Sequence, residues 1–267
     1  MLKIGALSFV NSLPFFQPFA EKKIDYDGQF LYGSPTQING LLESGQVDIG
    51  LISSASFIAN RDRYILLTNL GIGAHRRVIS VCLFTKTPPE ELNGKQIAIP
   101  DSSATSVLLL KVLCKHFWHV QQHFVEYPKE ISLTERLSKS DAALIIGDEC
   151  LTTKTPDSVQ VVDLANVWYR YTGRPFVFAV FATRCDIWMQ EPELVREFHQ
   201  KLFLSYDYSQ RHFDEILTAA SEKTHMSKES LMEYYKSLDY YLESEHFQGL
   251  EHFARLKNDQ IVPERVS

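Results

Sequence analysis

Short apolar runs, broken by polar turns, set the reading of this chain. Leu2 to Val10 is apolar enough for a first strand. Asn11-Ser12-Leu13-Pro14 then breaks it, and Pro14 suits the first turn of a helix capped by Asn11 or Ser12. Phe30-Leu31-Tyr32 reads as a second strand. Ser34-Pro35-Thr36 opens a helix from Gln37 to Glu43, closed by Gly45. Val47 to Ile52 is a third strand, and Ser53-Ser54 ends it at another helix start. Val78 to Phe84 and Gln96 to Ile99 are further strands. Pro100 to Ser106 leads into an apolar helix from Val107 to about Phe117. Ala142 to Ile146 is a buried strand that stops at Gly147-Asp148-Glu149, and Phe176 to Ala182 is a last one. From Glu193 the pattern is helical: Leu194, Phe198, Leu202 and Tyr206 share one face, and Met232, Tyr235, Leu238 and Tyr241-Leu242 repeat the signal. The tail from Lys257 is expected to fray.

This strand–turn–helix alternation predicts an α/β protein with mostly parallel sheets. Lys86-Thr87-Pro88-Pro89 reads as a crossing between two sheet regions, and Phe176 to Ala182 as the return. The expected organisation is two lobes with a cleft between them, residues 1–86 plus 179–267 forming one and residues 87–178 the other. One internal echo supports paired sheets. Asp48-Ile49-Gly50-Leu51-Ile52-Ser53-Ser54 resembles Ala142-Ala143-Leu144-Ile145-Ile146-Gly147-Asp148, an aliphatic strand ending in polar residues each time. Strands of α/β sheets hold ligands just beyond their carboxyl ends.

Composition narrows the function. The chain has 267 residues, 45% of them hydrophobic and 22% charged, with a formal net charge of -6. An acidic protein lacks the basic face that nucleic acid requires, though a local pocket can still oppose the overall sign. No apolar run approaches the ~20 residues of a membrane span. The N-terminus lacks the basic and apolar regions of a signal peptide, so a cytoplasmic location is expected. Cys82, Cys114, Cys150 and Cys185 are far apart and form no C-x-x-C pair, which predicts reduced thiols rather than zinc or disulfides. His116, His119 and His123 fall near one another on one predicted helix, a pattern read as an exposed polar face. There is no P-loop, no G-x-G-x-x-G and no G-x-S-x-G, so no nucleotide or redox cofactor is implied. Exposed aromatics such as Tyr234 and Tyr240 would permit a homodimer as readily as a monomer.

Small hydroxyl, amide and carboxyl residues recur at strand ends: Asn11 with Ser12, Ser53 with Ser54, Ser80, Ser103 with Thr105 and Ser106, and Asp148. A helix start offers unpaired N–H groups and a partial positive charge, which suits a carboxylate or phosphate. Serine and threonine add donors without bulk. Each such residue is also an ordinary helix cap. Their recurrence at several strand ends points to a site for a small anion. His75-Arg76-Arg77, just before Ser80, offers arginines that could pair with a ligand carboxylate or sit in solvent.

Five segments, in order over about the first 180 residues, resemble one family. Ser8-Phe9-Val10-Asn11-Ser12-Leu13-Pro14 resembles its opening Y-L-N-x-x-P signature. Asp48 to Ser54 resembles D-[VIL]-[AG]-x-[IV]-S-S, Ser103-Ala104-Thr105-Ser106 resembles S-x-T-S, and Ile146-Gly147-Asp148 opens a segment resembling I-G-D-x-A-L. Asp163-Leu164 through Trp168, followed by Thr172-Gly173-Arg174-Pro175-Phe176-Val177-Phe178-Ala179, resembles D-L-x-x-x-W-x-x-x-T-G-x-P-F-V-F-A. These are the marks of the chorismate dehydratase family of the futalosine route to menaquinone. The sister branch, which makes 1,4-dihydroxy-6-naphthoate, fits the last segments less well. Phe9, Cys150, Arg174 and Phe181 depart from the pattern, which has Tyr, Ala, an aliphatic residue and Trp there.

The resemblance implies a periplasmic-binding-protein type II-like fold, no cofactor, and a small-molecule substrate, chorismate, converted to 3-[(1-carboxyvinyl)oxy]benzoate and water. It implies Asn11 next to the reacting centre, with Ser12, Ser53, Ser54, Ser80, Ser103, Thr105, Ser106, Asp148 and Thr172 binding substrate. A solute-binding protein of the same fold, holding a small carboxylate without chemistry, is the alternative from another class.

Overall fold

A computed structural model describes residues 1–101, 103–128 and 130–258. The expected fraying of the tail therefore falls mostly outside the described residues, while Lys257 still lies in a helix, Ser244–Asn258. Two sheets organise the chain. The first contains β1 (Lys3–Leu7), β2 (Gln29–Gly33), β3 (Ile49–Ser53), β4 (Tyr64–Ala74), β10 (Phe176–Arg184) and β11 (Asp239–Tyr241), in the order β11-β4-β10-β3-β1-β2. The second contains β5 (Val81–Thr85), β6 (Gln96–Pro100), β7 (His123–Tyr127), β8 (Ala142–Ile146) and β9 (Gln160–Asp163), in the order β7-β6-β8-β5-β9.

The central strands are buried on both faces, as β3, β5 and β8 show at every residue. That burial is why they read as unbroken aliphatic runs. The helix Pro35–Glu43 starts at a capping box, with the Ser34 hydroxyl accepting from Gln37 N and the Gln37 side chain accepting from Ser34 N. The helix sits close on the sheet because Gly5 leaves room: a Cβ there would lie 2.8 Å from Ile38 Cγ2.

Four expectations are corrected. The sheets are mixed rather than mostly parallel: β1 runs parallel to β2 and β3, but β10 runs antiparallel to β3, and β5 antiparallel to β8 and β9. Registers such as Val81↔Ile146 and Ala179↔Ser53 show the reason. Strands β5 and β10 enter their sheets at the end where the parallel strands finish. The division of the chain also differs. One compact unit is Met1–Ile72 with Phe178–Tyr241, and the other runs from Gly73 to Val177 and resumes at Leu242. Strand β5, expected in the first lobe, is paired inside the second sheet. The helix Ser244–Asn258 packs on Ala104–His116 and so belongs to the second unit rather than the first. Finally, the C-terminal stretch is not all helical, since β11 interrupts it. Tyr234 and Tyr240, expected to be exposed, are 1% and 6% exposed.

Within the second unit, Trp168 is fully buried between the rings of Phe176 and Phe253, with centroids 5.4 and 5.9 Å away. Gly249 allows the last helix to reach this core, because a Cβ there would stand 2.1 Å from Pro175 O. Gly249→Ala is therefore expected to cost about 1–3 kcal/mol through overpacking. Urea unfolding of the variant checks this, and a loss under about 0.5 kcal/mol would mean that the backbone gives way freely.

Candidate functional site

In the first unit, β1 and β3 are parallel neighbours, in register at Ile4↔Ile49 and Gly5↔Gly50. Their carboxyl ends therefore share one edge of the sheet, which brings the Asn11–Ser12 turn and the Ser53–Ser54 turn to the same end. Asn11 lies in a single 3-10 turn, Val10–Ser12, which leads directly into the helix Leu13–Ala20. Two phenols hold that turn. Tyr235 Oη donates to Val10 O and Tyr240 Oη donates to Asn11 O, both at 2.8 Å. Burial raises the Tyr240 phenol well above its usual pKa, so it remains a donor. Beneath lies an aromatic cluster in which Phe15 meets Phe181 and Tyr240 edge-on, at 5.0 and 5.3 Å.

With its backbone held, Asn11 has a buried Oδ1 with no hydrogen-bond partner among the described residues. A buried amide oxygen left unpaired costs free energy unless something fills the vacancy. Ser53 has a different standing. Its Oγ accepts from Asn39 Nδ2 at 2.9 Å and from Ser56 N at 3.2 Å, and its N–H donates to Asn39 Oδ1 at 3.0 Å. Both lone pairs are used, which leaves the hydroxyl proton as a donor. Ser54 is fully buried at the first position of the helix Ser54–Ala59. Ser12 is 1% exposed, and its hydroxyl faces Leu7 O and Phe9 O at 2.7 and 2.8 Å. Its one proton is committed to the backbone, which shapes the turn.

In the second unit, β6 and β8 are parallel and β5 runs antiparallel beside β8. Ser80, the Ser103–Ser106 helix start and Asp148 therefore come to one end of this sheet. Gly147 N donates to Ser80 O at 2.7 Å, tying two of these places together. Ser103 caps the helix Ala104–His116 by accepting from Ser106 N, and Thr105 and Ser106 are 3% and 4% exposed in its first turn. Asp148 is partly exposed, in the first turn of Gly147–Thr152.

The turn before β5 depends on a residue that the sequence reading did not single out as functional. Asp163 Oδ2 accepts from Val78 N at 3.0 Å and Ile79 N at 2.8 Å, and its Oδ1 accepts from Asn166 N at 3.1 Å. One carboxylate thus caps the helix Leu164–Thr172 and holds Ile79 in a left-handed conformation, at φ 63°. That conformation is strained for a β-branched residue. Burial pushes the Asp163 carboxyl above the ordinary range, with these N–H bonds opposing the shift.

Other expectations move. Thr172 is not with the rest: its Oγ1 donates to Trp168 O at 2.8 Å, at the far end of the nine-residue helix that Asp163 caps. Nine residues of helix span about 13 Å. His75 Nε2 lies 2.7 Å from Glu245 Oε1, and Arg76 stacks over the Tyr169 ring at 5.3 Å, so both groups are engaged within the second unit. His116, His119 and His123 do not share a helix. His116 ends Ala104–His116, His119 has φ 53° in a turn, and His123 opens β7. Tyr235 and Tyr240 carried no local signal, because each bonds a carbonyl more than 220 positions away.

A family described as menaquinone biosynthesis matches residues 2–259. The chain belongs to this family. Among curated relatives, the chorismate dehydratase of Thermus thermophilus is 34% identical over 170 residues, 58% of this chain and 60% of that protein. The chorismate dehydratase of Campylobacter jejuni is 31% identical over 182 residues, 67% of this chain and 66% of that protein. The chain thus spans less than two thirds of these relatives. The 1,4-dihydroxy-6-naphthoate synthase of Thermus thermophilus is 27% identical over 173 residues, 65% of this chain and 60% of that protein. Among solved structures, an Archaeoglobus fulgidus protein superposes with a TM-score of 0.80 at 18% identity, covering 97% of each chain. A Candida albicans protein described as having the generic periplasmic binding protein fold superposes with a TM-score of 0.67 at 17% identity, covering 97% of this chain and 90% of that one. The family member therefore has the periplasmic-binding-protein-like fold that the sequence implies. Among the described residues, no helix is long and apolar enough to cross a membrane.

Two outcomes follow from the geometry. Tyr240→Phe is expected to cost about 1 kcal/mol of stability by removing the bond to Asn11 O. Chemical denaturation beside wild type measures it, and an unchanged midpoint would mean that the hydroxyl does not hold the turn. Asp163, with its raised folded pKa, binds a proton more tightly folded than unfolded. Its contribution to stability is therefore greatest at low pH and declines as pH rises from about 4 through the raised value. Asp163→Asn is expected to remove that decline from the pH–stability profile, and a profile parallel to wild type would contradict the assignment.

Proposed function

We propose that this protein is a chorismate dehydratase that converts chorismate to 3-[(1-carboxyvinyl)oxy]benzoate and water. The observation that carries the reading is the Asn11 amide, whose buried Oδ1 lacks a partner while its backbone is gripped by Tyr240. The two dehydratase relatives and the family match support the same choice.

Chorismate carries two carboxylates, a hydroxyl at C4 and an enolpyruvyl ether at C3. The reaction removes the C4 hydroxyl and the C3 proton, breaking one C–O and one C–H bond and leaving an aromatic ring. Aromatisation supplies much of the driving force, so the protein's work is placement. Asn11 would meet the C4 hydroxyl, with Oδ1 accepting its proton in the ground state and Nδ2 available to polarise the departing oxygen. The enolpyruvyl carboxylate would take the C3 proton and pass it to the leaving hydroxide, which departs as water. No side-chain base is then required.

The serines fit the remaining task. Ser53, with both lone pairs occupied, would donate its hydroxyl proton to a substrate carboxylate, and Ser54 would contribute from the same helix start. Thr105 and Ser106 sit in the first turn of a 13-residue helix, where free N–H groups and the helix dipole favour an anion. Ser80 would approach the same group from the turn before β5, and Asp148, in the first turn of Gly147–Thr152, would meet the substrate hydroxyl. Ser12 and Ser103 would act indirectly, by shaping the turns. Holding two reacting groups in line can lower a barrier by on the order of 7 kcal/mol. A cytoplasmic location and a monomeric or homodimeric state belong to this proposal.

The test is incubation with chorismate, followed by chromatography and mass. Wild type is expected to give a species one water lighter. Asn11→Ala is expected to cut turnover at least about a hundredfold while changing stability by less than about 1 kcal/mol, because Oδ1 makes no protein bond to lose. An Asn11→Ala variant with wild-type kcat removes Asn11 from the reaction. Chorismate that stabilises the protein without turning over supports the solute-binding alternative. Turnover of a cyclic futalosine derivative instead supports the sister synthase.

A further inference from the structure

The chemistry proposed at the strand ends does not use Arg174. This arginine opens onto a cavity of about 790 Å³ inside the second unit, formed by the turn after Leu164–Thr172 and by the helix Ser244–Asn258. That size is within the range of small-molecule sites. Arg174, His252 and Arg255 all line it, and Phe247 supplies an apolar wall. Glu251 is the one carboxylate among the lining residues, and it has an interaction of its own.

The cationic side chains are held in different ways. Arg174 Nη1 donates to Gln248 Oε1 at 2.5 Å, a neutral acceptor that aims the guanidinium along the last helix. Neither Arg174 nor Arg255 has a carboxylate partner among the described residues. His252 packs its ring against Trp168 at 5.4 Å, and its imidazole is held below the usual pKa, first by burial and then by the fields of Arg174 and Arg255. Two arginines against one carboxylate leave the lining cationic, which favours a bound anion.

We propose that this cavity is a second binding site, for a small organic anion that presents a carboxylate or phosphate to Arg174 and Arg255 and an apolar face to Phe247. The guanidinium fork suits either group, since both accept two parallel N–H bonds. Thr172 belongs to this cavity rather than to the strand-end site, and its hydroxyl, already bonded to Trp168 O, holds the turn that carries Arg174.

The test is calorimetric titration of the full chain with isophthalate and, separately, with inorganic phosphate, against a chloride control. At least one is expected to bind. The paired change Arg174→Gln with Arg255→Gln is expected to weaken it at least about tenfold, and Glu251→Gln to strengthen it by removing a like charge. Tighter isophthalate assigns a carboxylate ligand, and tighter phosphate a phosphate ligand. Heats no greater than chloride, or an affinity unchanged in the paired variant, overturn the proposal. Asn11→Ala is run alongside. Affinity lost there, and kept in the arginine variant, would place the anion at the strand ends and overturn the second site without touching the proposed dehydration.

Discussion

Three backbone N–H groups converge on the carboxylate of Asp163, and the end of the second sheet is arranged around them. Without that acceptor, Val78, Ile79 and Asn166 would each lose the partner of a part-buried N–H. Ile79 would also lose one of the bonds that hold it at positive φ. The carbonyl that this conformation exposes is itself used, since the thiols of Cys82 and Cys150 both lie 3.3 Å from Ile79 O. One side chain therefore sets a helix start, a strained turn and the entry of β5. Ser80 occupies its place because those three are fixed together.

The first unit reaches a similar result by other means. There the turn after β1 is held from outside by phenols, and its serine is turned inward to the backbone. Ser53 is organised by an amide, Asn39, which both donates to it and accepts from it. In each unit the polar side chains nearest the strand ends divide into two groups. Ser12 commits its proton to the backbone, whereas Ser53 keeps its hydroxyl proton and Asn11 its Oδ1.

Much of this was legible in the chain, and the rest was hidden for physical reasons. Strand β8 was read to its residue bounds because burial on both faces makes it wholly aliphatic. The Ser34 and Ser103 caps were visible because capping is local. By contrast β7, β9 and β11 lie at sheet edges, are partly exposed, and carry no apolar run. Strand β4 was missed because Gly71 and Gly73 make its end look like a loop. Gly73 is needed there, since a Cβ would meet His246 at 3.0 Å. The residues proposed to bind substrate were found as a class, since hydroxyls at strand ends stand out. Which of them keep a bonding position open was not legible, because their partners, Asn39, Leu7 and Phe9, are chosen by the fold.

The phenol grip on the Val10–Asn11 turn has a consequence in time. The turn is made among the first dozen residues, but Tyr235 and Tyr240 lie 225 and 229 positions later. At about 5–20 residues per second, a ribosome needs roughly 10–45 s to supply them. For that interval the segment carrying Asn11 is without its clamp, which arrives only with Tyr235 and Tyr240. A chain that stops before Tyr235 lacks both of the bonds that hold this turn.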